Sequence, residues 1–149
     1  MTYTLAGAKI WDGAEWKNAA GNASQVVASG GTINDFTQDG LRYRSHTFTA
    51  SDDFIVTSPG RVECLLVAGG GSPGHSTYKP GGGGAGGLIS TVLELAAATY
   101  PVVVGAGGAK LPGSPHGTRG NNGNDTTAFG LTALGGGGGG NYYDAPGKD

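Results

Sequence analysis

Three glycines, Gly69, Gly71 and Gly74, stand at the spacing G-x-G-x-x-G where the apolar run in "VECLLVAGGGSPG" (residues 62–74) ends. After a strand, that spacing could hold a dinucleotide, with the third glycine against a helix whose first amides receive the pyrophosphate. The continuation is "HSTYKPGGGGAGG". Pro73, Gly74, Pro80 and the run Gly81 to Gly84 exclude a helix there. Glu94 lies at a tolerable distance for the ribose-binding acid but sits inside "TVLELA", with no helix between. Gly81, Gly83 and Gly86 repeat the spacing, as chance allows in so glycine-rich a chain. A phosphate loop fails as well, since Gly147-Lys148 is followed by Asp149.

Other chemistries find no better footing. His46, His75 and His116 are far apart and lack metal-ligand spacing. Asp52 and Asp53 read as a solvated turn pair. Cys64 is the single cysteine and lies in an alternating apolar run, so it reads as a buried thiol. The expectation is a protein that is not an enzyme, with no catalytic residues, no metal and no cofactor.

The elements that would position any site are set by length and composition. A chain of 149 residues supports one domain with a core. Glycine supplies 32 residues, no Gly-X-Y period runs through the chain, and only 13% of residues are charged, so collagen is excluded. Net charge is −2 and the lysines and arginines are scattered, which leaves no face to neutralise phosphates; nucleic acid is not an expected partner. No run of about 18 apolar residues exists and "MTYTLAGAKIWDG" is not a signal peptide, so neither membrane insertion nor export is expected.

In "AKIWDGAEWK", Asp12-Gly13 lies between Trp11 and Trp16, a strong two-residue hairpin signal. A lone hairpin is marginal in water, so this one should dock on the main domain or on another chain. The tract from Asn18 to Asn34 reads as a connector. From Tyr43 onward the apolar period becomes two. His46, Phe48 and Ala50 share a face, as do Phe54 and Val56. Val62, Cys64, Leu66 and Ala68 oppose Leu65 and Val67. Turns are expected at Ser51-Asp52-Asp53 and Ser58-Pro59-Gly60. "TYPVVVGAG" and "TAFGLTALG" read as strands, and Leu88 to Ala98 as a strand that also fits a helical face. The fold class expected is all-β: an antiparallel β-sandwich, jelly-roll-like, with glycine-rich loops and an N-terminal β-hairpin. The domain division expected is 1–45 for hairpin and connector and 46–149 for the sandwich.

Four glycine clusters remain, at 69–71, 81–87, 105–108 and 135–140. Ordering the last costs about 6 to 12 kcal/mol of backbone entropy, comparable to a domain's whole stability. The runs are therefore either mobile or held as polyproline-II-like segments that pair laterally through their backbones.

The order "FTASDDFIVTSPGRVECLLVAGGGSPG", "GGGGAGGLISTVLEL", "YPVVVGAGG" and "GNDTTAFGLTALGGGGGG" resembles the glycine-rich domain of bacteriophage tail and tail-fibre proteins. The resemblance covers about residues 46 to 140, and "AKIWDGAEWK" separately resembles Trp-Asp-Gly hairpins of phage tail proteins. It implies a virion structural protein, assembled in the host cytoplasm, of minor tail or tail-fibre type. The implied partners are other phage structural proteins, further copies of the chain in a homo-oligomer (a trimer favoured), and a host cell-surface glycan or protein. On that reading Trp11, Asp12, Gly13 and Trp16 anchor or oligomerise the chain, and Tyr78, Tyr142 and Tyr143 offer surface contacts. The rivals are a capsid or tail-tube decoration or spike protein and, from another class, a carbohydrate-binding β-sandwich module. The chain departs from the family pattern in lacking a fibre shaft, in its short Pro59-Gly60 turn and in the tail "NYYDAPGKD".

Overall fold

The structure, a computed structural model, describes residues 4–11, 16–17, 26–39, 41–75, 79–111 and 117–141. Contacts divide the chain into two units, Met1–Leu66 with Ile89–Val103 and Val67–Leu88 with Val104–Asp149. The described residues form strands in several small antiparallel sheets, with no helix among them and no sheet that closes on itself.

The first unit is built on β1 (Thr4–Trp11), which lies between β5 (Leu41–Thr47) and β7 (Gly60–Val67); Leu5 is opposite both His46 and Cys64. The short β2 (Trp16–Lys17) pairs with the end of β1. A second sheet runs β3 (Val27–Ser29), β6 (Asp52–Ser58), β9 (Ala98–Val102). β4 (Thr32–Gln38) and β8 (Leu88–Leu95) are the outer members of the first sheet. Alternation carries the core strands as the sequence predicts. On β6, Phe54 and Val56 point inward, and on β7 Val62, Cys64 and Leu66 do. Leu65 and Val67 are half-buried. β8 alternates exposed and covered positions along its length, a period of two that settles Leu88 to Leu95 as strand. Phe54 is the hub of the core. His46 meets it edge-on at 5.1 Å and Phe48 at 6.2 Å. Each buried phenylalanine contributes on the order of 1.5 to 3 kcal/mol by leaving water.

Cross-strand pairs hold β4 to β5. Asp35 and Arg44 are directly opposite and joined by two bonds of 2.7 Å, which pushes the Arg44 pKa up, while Phe36 stacks on its partner Tyr43 at 5.3 Å. The ion pair is half-exposed and contributes about 0.2 to 1 kcal/mol.

Several local expectations are corrected. Asp52 and Asp53 begin β6, and the bend falls earlier, at Thr49 and Ala50, so that Ala50 is exposed. Asp52 Oδ1 accepts the Asp53 N–H at 2.8 Å. The tract read as a connector contains β3 and the start of β4. "TAFGLTALG" is two strands, β10 (Thr126–Ala128) and β11 (Leu131–Ala133), because Phe129 and Gly130 turn the chain with φ of 55° and 75°. Positive φ at both central residues is the turn type that matches strand twist.

Beyond β10 and β11, the described residues of the second unit include a bundle of glycine-rich segments, 68–75, 81–87, 104–109, 117–125 and 134–140, joined by backbone hydrogen bonds that recur every third residue. Ala68, Gly71 and Gly74 donate to Gly87, Gly84 and Gly81 at 2.9 to 3.0 Å. Gly81, Gly84 and Gly87 donate in turn to Gly140, Gly137 and Leu134 at 2.7 to 2.9 Å. Gly69, Ser72 and His75 donate to Asn124, Asn121 and Thr118, and Gly120 and Gly123 to Gly139 and Gly136. A step of three residues on both partners is the turn of a polyproline-II helix, which has no internal bonds and must find lateral ones. Segments 68–75 and 134–140 run parallel, through Gly136 to Gly69 and Gly139 to Ser72, whereas the pairs above are antiparallel. Of the two readings of the glycine runs, the described ones follow the packed one.

Such spacing leaves no room for side chains at the contact phases. A Cβ on Gly71 would lie 2.1 Å from Gly137 O, and one on Gly123 would lie 2.0 Å from Gly69 O. At the bundle's margin, exposed side chains add further acceptors. Asp125 Oδ1 accepts the Gly135 N–H at 2.7 Å and Asn122 Oδ1 the Gly138 N–H at 2.8 Å, again three residues apart on both sides. Buried Thr126 accepts the Gly105 N–H and donates to Val67 O, each at 2.9 Å.

Candidate functional site

The two ends of the bundle differ. At one, Ala68, Gly87, Asn124 and Leu134 lie within a residue or two of the strands that β7, β8, β10 and β11 form. At the other, Gly74, Gly81 and Gly140 are joined in series, His75 donates to Thr118 O (2.8 Å) and accepts from Gly117 (3.0 Å), and Asn141 Nδ2 donates to Gly117 O. His75, Gly117 and Asn141 are thus gathered at this second end.

A cavity of about 380 Å³ opens there, lined by Ser72, Pro73, His75, Gly108, Lys110 and Leu111 among others. Its walls are fixed by reciprocal bonds. The Ser72 N–H donates to Asn121 O, and Asn121 N–H donates back to Ser72 Oγ, both at 2.8 Å. Asn121 Nδ2 reaches Ala109 O at 2.8 Å and so ties the 104–109 segment to the same ladder. Pro73 and Leu111 supply apolar surface and the exposed Lys110 a cation. A cavity of this size can hold a small molecule or a side chain by shape. The described residues contain no group of three or more His, Cys, Asp or Glu able to hold a metal. Cys64 is buried elsewhere, in the β-sheet unit, where desolvation pushes its pKa up to about 11. A thiol so placed stays protonated at neutral pH, the opposite of an activated nucleophile.

Of the residues the sequence nominates, Trp11 and Trp16 are direct partners across β1 and β2. That register leaves four residues, 12–15, between them, a longer connection than a two-residue turn. Asp12 and Gly13, like Tyr78, Tyr142, Tyr143 and His116, lie outside the described residues. The sequence reading missed Ser72, Asn122 and Asp125 as the side chains that complete the bundle. For Asn122 and Asp125 the signal was available in "GTRGNNGND", where Gly117, Gly120 and Gly123 recur every third residue.

No helix of the described residues is long and apolar enough to cross a membrane. No curated protein matches the chain. No solved structure matches it either. A family model described as "Glycine-rich domain" matches residues 44–149, which takes in the core strands β6 and β7 and the entire bundle. The chain belongs to that glycine-rich domain family.

Proposed function

We propose that the protein is a non-enzymatic structural component of a bacteriophage particle, of tail or tail-fibre type, in which the glycine bundle is a stiff mount for host contact. The observation that carries this reading is the gathering of His75, Leu111, Gly117 and Asn141 at one end of the bundle. In the sequence Tyr78 follows three residues after His75, and Tyr142 and Tyr143 come directly after Asn141. Rigid mounts with variable connections are how binding surfaces are usually built. The cavity beside Ser72 and Lys110 adds a recess at the same end. In this reading the hairpin containing Trp11, Asp12, Gly13 and Trp16 anchors the chain to other phage proteins or to further copies of itself.

The β-strand unit we take as a jelly-roll-like sandwich. His46 of one sheet and the adjoining Phe48 both meet Phe54 of the other, the arrangement of two sheets sharing one core.

Gold-labelled antibody imaging of intact particles of the source phage tests the assignment. Label at the tail tip or fibres supports it. Label over the head or along the tube makes the protein a decoration subunit, and particles without label remove it from the virion.

A further inference from the structure

Asn122-Gly123 is the one Asn-Gly pair in the sequence. A glycine after asparagine leaves the following backbone nitrogen unshielded, and this is the arrangement in which an asparagine most readily cyclises. The Gly123 nitrogen attacks Asn122 Cγ. An N–Cγ bond forms, the Cγ–Nδ2 bond breaks, and Nδ2 departs as ammonia carrying the Gly123 amide proton. One water then opens the succinimide ring and returns a proton to the Gly123 nitrogen. Cleavage at Cγ leaves an aspartyl residue. Cleavage at the main-chain carbonyl leaves an isoaspartyl residue, with the chain running through the former side chain.

Both reacting groups are committed to one neighbour. The Gly123 N–H donates to Gly136 O at 2.8 Å, and Asn122 Oδ1 accepts the Gly138 N–H at 2.8 Å. On either side the 117–125 segment is tied down again, through Asn121 N–H to Ser72 Oγ and Asn124 N–H to Ala106 O. For the nitrogen to reach Cγ, the peptide between the two residues must rotate out of the extended helix. That rotation breaks both bonds to the 134–140 segment. We propose that Asn122 is a deamidation site gated by the bundle, reactive only when the 134–140 segment separates from 117–125, so that its modification records how often the bundle opens.

The two products have opposite consequences. An aspartyl at this position keeps an acceptor for Gly138, as Asp125 already does for Gly135 at 2.7 Å. An isoaspartyl inserts one extra carbon into the main chain between the two residues. Gly120 to Gly139 and Gly123 to Gly136, spaced by three on both partners, then fall out of register. The first product is silent and the second holds the bundle open.

The test follows Asn122 in the full chain by time-resolved peptide mapping in mildly alkaline buffer, folded and in urea, with isoaspartyl measured separately. Deamidation more than about tenfold slower in the folded chain is expected, with G136A raising the folded rate toward the unfolded one. Equal rates folded and in urea would overturn the gating. Because G136A could unfold the bundle outright, a second comparison is needed. N122D should melt like the parent and the isoaspartyl-enriched fraction lower, and identical melting of the two would overturn the register argument.

Discussion

Gly136 and Gly137 are neighbours in one run of glycines and have opposite surroundings. A Cβ on Gly136 would lie 2.2 Å from Gly84 O, whereas one on Gly137 would meet nothing within 4 Å. The cause is the threefold turn of the segment, which aims successive residues at different neighbours. The same phase recurs along the chain. Leu134, three residues before Gly137, is 66% exposed, and Ala85 stands three residues after Gly82, where a Cβ would also meet open space. The protein already places side chains where the bundle admits them.

Paired alanine substitutions in this run should therefore diverge. G136A should lower stability by about 1 to 3 kcal/mol or more through overpacking against backbone. G137A should leave it unchanged or raise it by about 0.4 to 1 kcal/mol by restricting the unfolded chain. Urea unfolding of the two variants reads the difference, and equal losses would contradict the bundle's phase.

Run length should matter by phase and not only by number. Removing one glycine from Gly135–Gly140 shifts every later residue onto the wrong neighbour, whereas removing three restores the phase at the cost of one repeat. The single deletion should melt at or below the triple deletion. A triple deletion markedly less stable than the single one would show that the contacts, not their phase, dominate.

Cys64 should resist thiol reagents in the folded protein and react on unfolding, since its side chain is 3% exposed. Its pKa is raised from 9.0 to about 11, so the folded state holds the proton more tightly than the unfolded state. This contribution is constant at lower pH and is lost as pH rises from about 9 to about 11. C64S should flatten that part of the stability profile between the same limits.

Replacing both Trp11 and Trp16 by alanine should abolish attachment or self-association while leaving the melting of the β-sheet core in place. Light scattering and thermal unfolding on the same sample separate the two effects. Unchanged assembly would remove the hairpin from the anchoring role.

What was legible in the sequence follows from which periodicities it displays. The alternation through Phe54, Val56, Val62, Cys64 and Leu66 marks two core strands because one face of each is buried. β4 escaped because it is an outer strand and mostly exposed, so "TINDFTQ" shows no apolar alternation. Its hairpin with β5 was nonetheless written in Asp39-Gly40, between paired Gln38 and Leu41, the dipeptide signal recognised at Asp12-Gly13. The turn at Phe129 was hidden, since phenylalanine is a poor marker for positive φ. The bundle was half legible. Glycine clustering points to close backbone packing, but searches for periods of 2 and 3.6 pass over the threefold recurrence of Gly117, Gly120 and Gly123.

The bundle also has a thermal consequence. Its cohesion comes from peptide groups removed from water, with few large apolar side chains buried among them. Exposing polar surface lowers the heat capacity on unfolding while exposing apolar surface raises it. The glycine unit should therefore unfold with a heat-capacity increment well below the roughly 12 to 15 cal/mol/K per residue of ordinary domains. Its free energy would then run almost straight with temperature instead of along a dome, so that chilling keeps strengthening this unit under conditions where a hydrophobic core begins to loosen.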